Sequence, residues 1–198
     1  MSLIEGWIIM VFRRLLTILG LLWVLCFSAI NLGPTTAYAQ RKAQSEITFF
    51  YELVFERTMC FGTCPAYKIT VNADGRVEYE GKAWVKTKGI ATDRLSPDKI
   101  EQLLQALNKA NFLSFRDSYA SREDGCPTSW TCNPGVILSV EVYGQRKTIH
   151  HDHGCREEAA GGSRGEVYPR QLYLLAEKID EIVETSRWVD TNRHERIP

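Results

Sequence analysis

The chain is 198 residues long, with 24 basic against 24 acidic side chains, 44% hydrophobic residues and six cysteines. A charge balance of zero excludes any general attraction to nucleic acid or to an anionic membrane surface. Once an export signal is set aside, the length suits one domain with a core of its own, and no second domain is expected.

The signal is read at residues 1–39. Arg13 and Arg14 precede an apolar run from Leu15 to Leu25, which thins into small and polar residues through Thr36 before Ala37-Tyr38-Ala39 supplies the A-x-A pattern of a signal-peptidase site. The run is shorter than the roughly 20 residues that span a bilayer, which favours cleavage over a permanent anchor. Val24-Leu25 ahead of Cys26 does not suit a lipoprotein site, and the surroundings of Arg13-Arg14 fit general secretion better than a twin-arginine signal. Met10 is an alternative initiator to Met1. Removing 39 of 198 residues leaves 159, divided into a short linker at 40–46, a single domain at 47–189 and a polar tail at 190–198. The expected location is the periplasm or the exterior, with the membrane touched only through an uncleaved signal. Five cysteines remain there, an odd count that leaves at least one thiol free, metal-bound or paired with another chain.

In chain order, alternation marks a first strand at about 47 to 57, with Phe49, Tyr51, Leu53 and Phe55 on one side and Thr48, Glu52 and Glu56 on the other. Tyr67, Ile69 and Val71, then Asn72-Ala73-Asp74-Gly75, then Val77 and Tyr79, read as a hairpin. Gly81-Lys82 interrupts the pattern before a fourth strand near 83 to 92. Ser96-Pro97-Asp98 is a helix start, because Ser96 can cap, Pro97 is tolerated in the first turn and Asp98 suits the positive end of the dipole. Ile100, Leu103, Leu104 and Leu107 then form one apolar stripe. The polar stretch from Phe112 to Thr131 reads as a long loop.

Val136, Leu138, Val140 and Val142 alternate into a second hairpin whose return strand carries Lys147, Ile149, His151 and His153 on one parity. A two-residue turn at Gly144-Gln145 sets Leu138 opposite His151 and Val140 opposite Ile149. Pro169 opens a second helix with an apolar stripe of Leu172, Leu175, Ile179, Ile182 and Val183, and the chain closes on Trp188. The expected fold is α+β: an antiparallel sheet of about five to six strands in hairpins, with two amphipathic helices packed on one face.

Cys60-Phe61-Gly62-Thr63-Cys64-Pro65-Ala66-Tyr67 is the most distinctive string. It resembles the hallmark of a family of bacterial exported domains of unknown function, marked by a C-F-G-x-C-P-x-Y segment between two strands. The resemblance continues through Asp74-Gly75, Tyr79-Glu80-Gly81, Leu95-Ser96-Pro97, Asn111-Phe112, the His151 to Cys155 region and Trp188, and it implies a coherent fold with no activity attached. Cys126 and Cys132 fall in an apparent insertion at 121 to 134. Physically, Gly62 allows a tight turn that brings Cys60 and Cys64 within disulfide reach, and three intervening residues between strands differ from the two of a thioredoxin-like site. A structural bridge is therefore favoured, with Phe61 and Tyr67 as contact residues of a binding loop.

His150-His151-Asp152-His153-Gly154-Cys155 carries metal-ligand residue types, but alternation leaves only His151 and His153 on one face, with Cys155 as the third ligand if the strand continues. The inferred register instead sets Cys155 near Cys132, and a Cys132–Cys155 disulfide is favoured over Cys126–Cys132, with Cys126 left unpaired. Gly161-Gly162-Ser163-Arg164-Gly165 lacks the ending of a phosphate loop, and neither Ser129 nor Ser163 has a nucleophile-elbow context. No cofactor is expected. The resulting expectation is a non-enzymatic envelope or secreted module that binds an unidentified protein, peptide or glycan. Its alternative is a metal-binding or thiol-redox protein using His151, His153 and the cysteines.

Overall fold

The structure, a computed structural model, describes residues 47–190. The signal, the linker and all but the first residue of the tail lie outside the described residues. Among those described, no helix is long and apolar enough to cross a membrane.

Four strands, β1 (Glu52–Arg57), β2 (Ala66–Asn72), β3 (Arg76–Ala83) and β4 (Gly89–Arg94), form an antiparallel meander. After helix α1 (Pro97–Lys109) the chain adds the two-residue strands β5 (Ser118–Tyr119) and β6 (Thr128–Ser129), then the long hairpin β7 (Gly135–Val142) and β8 (Gln145–Asp152). A last short strand, β9 (Cys155–Arg156), precedes helix α2 (Arg170–Val183). The main sheet runs β4-β3-β2-β1-β7-β8-β5, and β6 pairs with β9 as a separate ribbon. The α+β class is thus observed, while the strand count and the purely antiparallel arrangement need correction. Seven strands share the sheet, and β5 lies parallel to β8, joining Tyr119 to His151.

Each helix forms for the reason its sequence gives. Ser96 Oγ accepts from Lys99 N to cap α1, Leu103 and Leu107 are fully buried, and α2 inserts Leu172, Leu175, Ile179 and Val183. The apolar parity of the sheet is buried, namely Leu53, Phe55, Ile69, Val71, Val77, Tyr79, Val136, Leu138 and Ile149. These side chains share one core with both helices, so both helices cover that face. Each such side chain taken from water stabilises the fold by about 1.5–3 kcal/mol. The other face is charged, with Lys82 on Glu56 at 2.6 Å and Arg146 on Glu52 at 2.7 Å. That is a solvated surface.

The second hairpin turns one residue earlier than its pattern implied. Tyr143 and Gly144 both adopt positive φ, 52° and 72°, which is the backbone of a two-residue type I′ turn. Leu138 therefore faces Ile149 and Val136 faces His151, a slide of two residues that keeps every side chain on its face. The stretch 112 to 131 is also more structured than a long loop, since it holds a 3₁₀ turn at Phe112–Ser114 as well as β5 and β6.

Candidate functional site

Antiparallel order gathers at one end of the sheet the exit of β1, the entry of β2, the β3–β4 connection, and the segments on either side of β7 and β8. Residues 58–65 form the first loop there. Thr58 N donates to Gly135 O at 2.9 Å and Gly135 N donates back to Thr58 Oγ1 at 2.9 Å, which ties the loop's start to β7. Cys60 and Cys64 form a disulfide with Cα atoms 5.6 Å apart, inside the usual range. Between them Phe61 stands 90% exposed beside Met59, which is 66% exposed. Phe61 N donates to Cys132 O at 3.4 Å, joining this loop to the 130–134 segment.

That second segment is pinned as firmly. Trp130 N donates to Gly154 O at 2.9 Å, Asn133 Nδ2 donates to Trp130 O and Thr131 O, and the Arg164 guanidinium lies over the Trp130 ring at 5.3 Å. A Cβ on Gly154 would overlap Trp130 O, so only glycine permits this approach. Trp130, Met59 and Phe61 are all exposed apolar residues of these two loops.

The second disulfide corrects the expected pairing. Cys126 binds Cys155 with Cα atoms 5.3 Å apart, and Cys132 is an exposed free thiol. The cause is the β6–β9 ribbon. Ser129 lies opposite Cys155 and Thr128 Oγ1 donates to Arg156 O, so the chain returns toward Cys155 from Cys126, while Cys132 sits in left-handed backbone at φ 69°.

Beneath the loops lies a buried charge network. Arg57, 4% exposed, occupies the inward parity of β1, where its Nε donates to Asp180 Oδ2 at 2.8 Å and its Nη2 meets Glu177 Oε1 at 2.7 Å. Asp180 also accepts from Tyr67 Oη at 2.6 Å and from Thr185 Oγ1 at 2.9 Å. Burial alone would lower the Arg57 pKa, but Asp180, Tyr67 and Glu177 together outweigh it and push it up. Burial, and then the Asp180 charge, raise the Tyr67 phenol well above its ordinary value. Tyr67 is thus no contact residue. Its ring is fully buried, because position 67 has the inward parity of β2.

His151 and His153 are buried side by side, with ring centroids 5.0 Å apart, among Tyr119, Tyr168 and Tyr173. His151 Nε2 donates to Tyr168 O at 3.0 Å, which places the proton on that nitrogen and leaves Nδ1 buried with no partner. Burial pushes the His151 pKa down to about 4, so the ring is neutral. Cys155, the third ligand of the expected triad, is a disulfide sulfur. Among the described residues no three His, Cys, Asp or Glu side chains are grouped to hold a metal ion.

The family model for a Domain of unknown function (DUF6438) matches residues 51–183. The chain belongs to this family. The match runs from the residue before β1 to the end of α2, so it includes both disulfides, the Phe61 loop and the Arg57 network. The family description names no activity. No curated protein matches the chain.

The sequence singles out Cys60, Cys64, Phe61 and Cys132 separately; the structure brings them to one end of the sheet, and the Arg57–Asp180 network is a feature the sequence reading misses. The signal was present: Arg57 continues the inward series of Leu53 and Phe55, and Asp180 falls on the helical stripe four residues after Ala176. A charge at each of two core-facing positions calls for a pair.

Proposed function

We propose that the protein is an exported, disulfide-stabilised and non-enzymatic binding module that grips a protein or peptide partner with the loops carrying Met59, Phe61 and Trp130. One observation carries this reading: an almost fully exposed phenylalanine on a backbone clamped by a disulfide and by a hydrogen bond to a neighbouring loop. A rigid exposed aromatic costs solvation in the free protein and loses little entropy on binding, which is the economy of an interface anchor. Two disulfides favour an oxidising compartment, in keeping with an export signal at 1–39. The test places a photo-crosslinking residue at position 61 and, separately, at Leu174 on α2, in the full chain expressed in its host. The expected result is a discrete crosslinked species from position 61 alone, recovered with a mature protein that begins at Gln40. Equal crosslinking from both positions, or an intracellular protein of full mass, overturns it.

The thiol-redox alternative has one observation in its favour. The Phe61 N to Cys132 O contact puts the Cα atoms of Cys60 and Cys132 no more than about 8 Å apart by standard bond lengths, with Cys132 exposed. In that reading the Cys132 thiolate attacks a sulfur of the Cys60–Cys64 bridge, forms a new bridge and releases the other cysteine as thiolate, with no net change in oxidation. Tryptic mapping after alkylation at high pH decides it. A Cys60–Cys132 or Cys64–Cys132 peptide supports exchange, and sole labelling of Cys132 refutes it.

A further inference from the structure

The β3–β4 connection, at the same end of the sheet, builds a second site with none of the Phe61 loop's residues in its lining. Residues 84–88 bulge between the two strands and wall a groove of about 580 Å³, lined by Lys82, Trp84, Lys86 and Lys88 and by Asp190. That volume lies within the range of small-ligand clefts. Trp84 is 48% exposed and adopts φ 56°, a conformation that a bulky side chain rarely takes without support from its surroundings. The support is visible. Lys86 N and Thr87 N both donate to Trp188 O, at 2.9 and 3.1 Å, and the Trp188 ring stacks on the buried Tyr79 at 4.7 Å. The core thus holds an indole out toward solvent at the mouth of a cationic groove.

Three ammonium groups line this groove; with Lys82 paired to Glu56, those of Lys86 and Lys88 stand against the carboxylate of Asp190. Lys82 reaches across to Glu56, and Lys86 Nζ donates to Ser186 O at 3.0 Å. Lys88 is exposed, and none of the ion pairs observed among the described residues involves it. An excess of positive charge in a concave, partly apolar site selects an anion. The backbone N–H groups of residues 86 and 87 are spent on Trp188, and the side chains the groove presents are a flat indole and point-charge ammoniums. A peptide strand needs free backbone partners, and a bilayer needs a convex face. A chain of sugar rings bearing acid groups needs neither, since its apolar C–H faces stack on an aromatic plane while its acids meet the lysines.

We infer that the Trp84 groove binds an acidic oligosaccharide. The test titrates the untagged, oxidised protein by calorimetry with a galacturonate oligomer, a sulfated dextran oligomer, a neutral glucan of matched length, polyglutamate and phosphatidylglycerol vesicles. Saturable binding to either acidic sugar and none to the neutral glucan is expected, weakening severalfold as NaCl is raised from about 50 to 500 mM. Trp84→Ala and the Lys86→Glu/Lys88→Glu pair each weaken it at least about tenfold, while Leu174→Ala leaves it unchanged. Lys88 is exposed and makes no contact that folding needs, so Lys88→Glu alone, which lowers affinity severalfold, keeps the test decisive if the Trp84 variant unfolds. The proposal is overturned by no saturable binding to either acidic sugar, by polyglutamate or vesicles binding as tightly, or by affinity that survives the lysine reversals.

Discussion

Replacing Asp180 by alanine isolates what the buried network contributes. Arg57 would keep one carboxylate, Glu177, whose side chain is 41% exposed and therefore well screened, while losing the better desolvated partner. Removing one member of a buried ion pair costs about 3–5 kcal/mol, because the surviving charge stays out of water. Glu177 at 2.7 Å offsets part of that, and the stranded Tyr67 hydroxyl adds about 1–3 kcal/mol. A net loss of about 4 kcal/mol follows, a large share of the 5–15 kcal/mol by which domains are stable. The thermal midpoint should fall by roughly 10–15 °C at neutral pH. Glu177→Ala, at the exposed end of the same network, should cost about 1 kcal/mol or less. In an Arg57→Met background the Asp180→Ala penalty should shrink by more than half, because the charge that needed Asp180 is gone. Equal midpoint shifts for the Asp180 and Glu177 variants, or full additivity with Arg57→Met, would refute the argument from desolvation.

Three more outcomes follow from particular contacts. Opening the Cys126–Cys155 bridge by serine replacement should cost about 3.5 kcal/mol by loop entropy, against about 2 kcal/mol for Cys60–Cys64, whose loop is much shorter, as read from denaturant midpoints. The folded-state pKa of His151, about 4, lies below the ordinary 6.5, so the unfolded chain binds more protons between those values and stability falls as pH drops through that window. The loss reaches about 3 kcal/mol at most, and a pH series on His151→Gln, which can still donate to Tyr168 O, should show a flatter slope; an unchanged slope would remove His151 as the cause. A Cβ on Gly81 would overlap Thr87 O, so Gly81→Ala should displace residues 84–88, lower the melting temperature and alter the near-ultraviolet circular dichroism of Trp84, with unchanged spectra counting against the tight β3–β4 corner.

The parts of the fold that were legible are those where one physical rule acts alone. The stripe of α2 and the Asn72 to Gly75 turn needed only periodicity and turn chemistry, and both stand where the residues put them. The failures occur where rules compete. A turn at Gly144-Gln145 is expected, but the chain turns at Tyr143-Gly144, where the cross-strand packing of Val136, Leu138 and Ile149 outweighs the local cost of positive φ at a tyrosine. The hairpin register points Cys155 to Cys132, and the ribbon that turns Cys126 toward it, β6 and β9, is two residues per strand, too short to leave an alternating pattern. Tyr67 stands in a distinctive motif, which suggests a contact residue, but its parity with Ile69 and Val71 assigns it to the core.

The Arg57 network and the disulfides serve one end of the molecule for a related reason. An apolar replacement of similar volume would stabilise the core as well as a buried ion pair does, so stability alone does not account for Arg57. Its position offers a reason: Arg57 is the last residue of β1 and Tyr67 the second of β2, the two residues between which the Phe61 loop is strung, and both are held by the same Asp180 carboxylate on α2. Directional hydrogen bonds fix the feet of that loop in a way that interchangeable hydrophobic contacts do not. The Cys60–Cys64 bridge then closes its middle, and the β7 contacts of Thr58 close its start. A loop restrained at its start, its middle and both feet, yet presenting Phe61 to solvent, keeps one surface in one shape, which is what the proposed binding role requires.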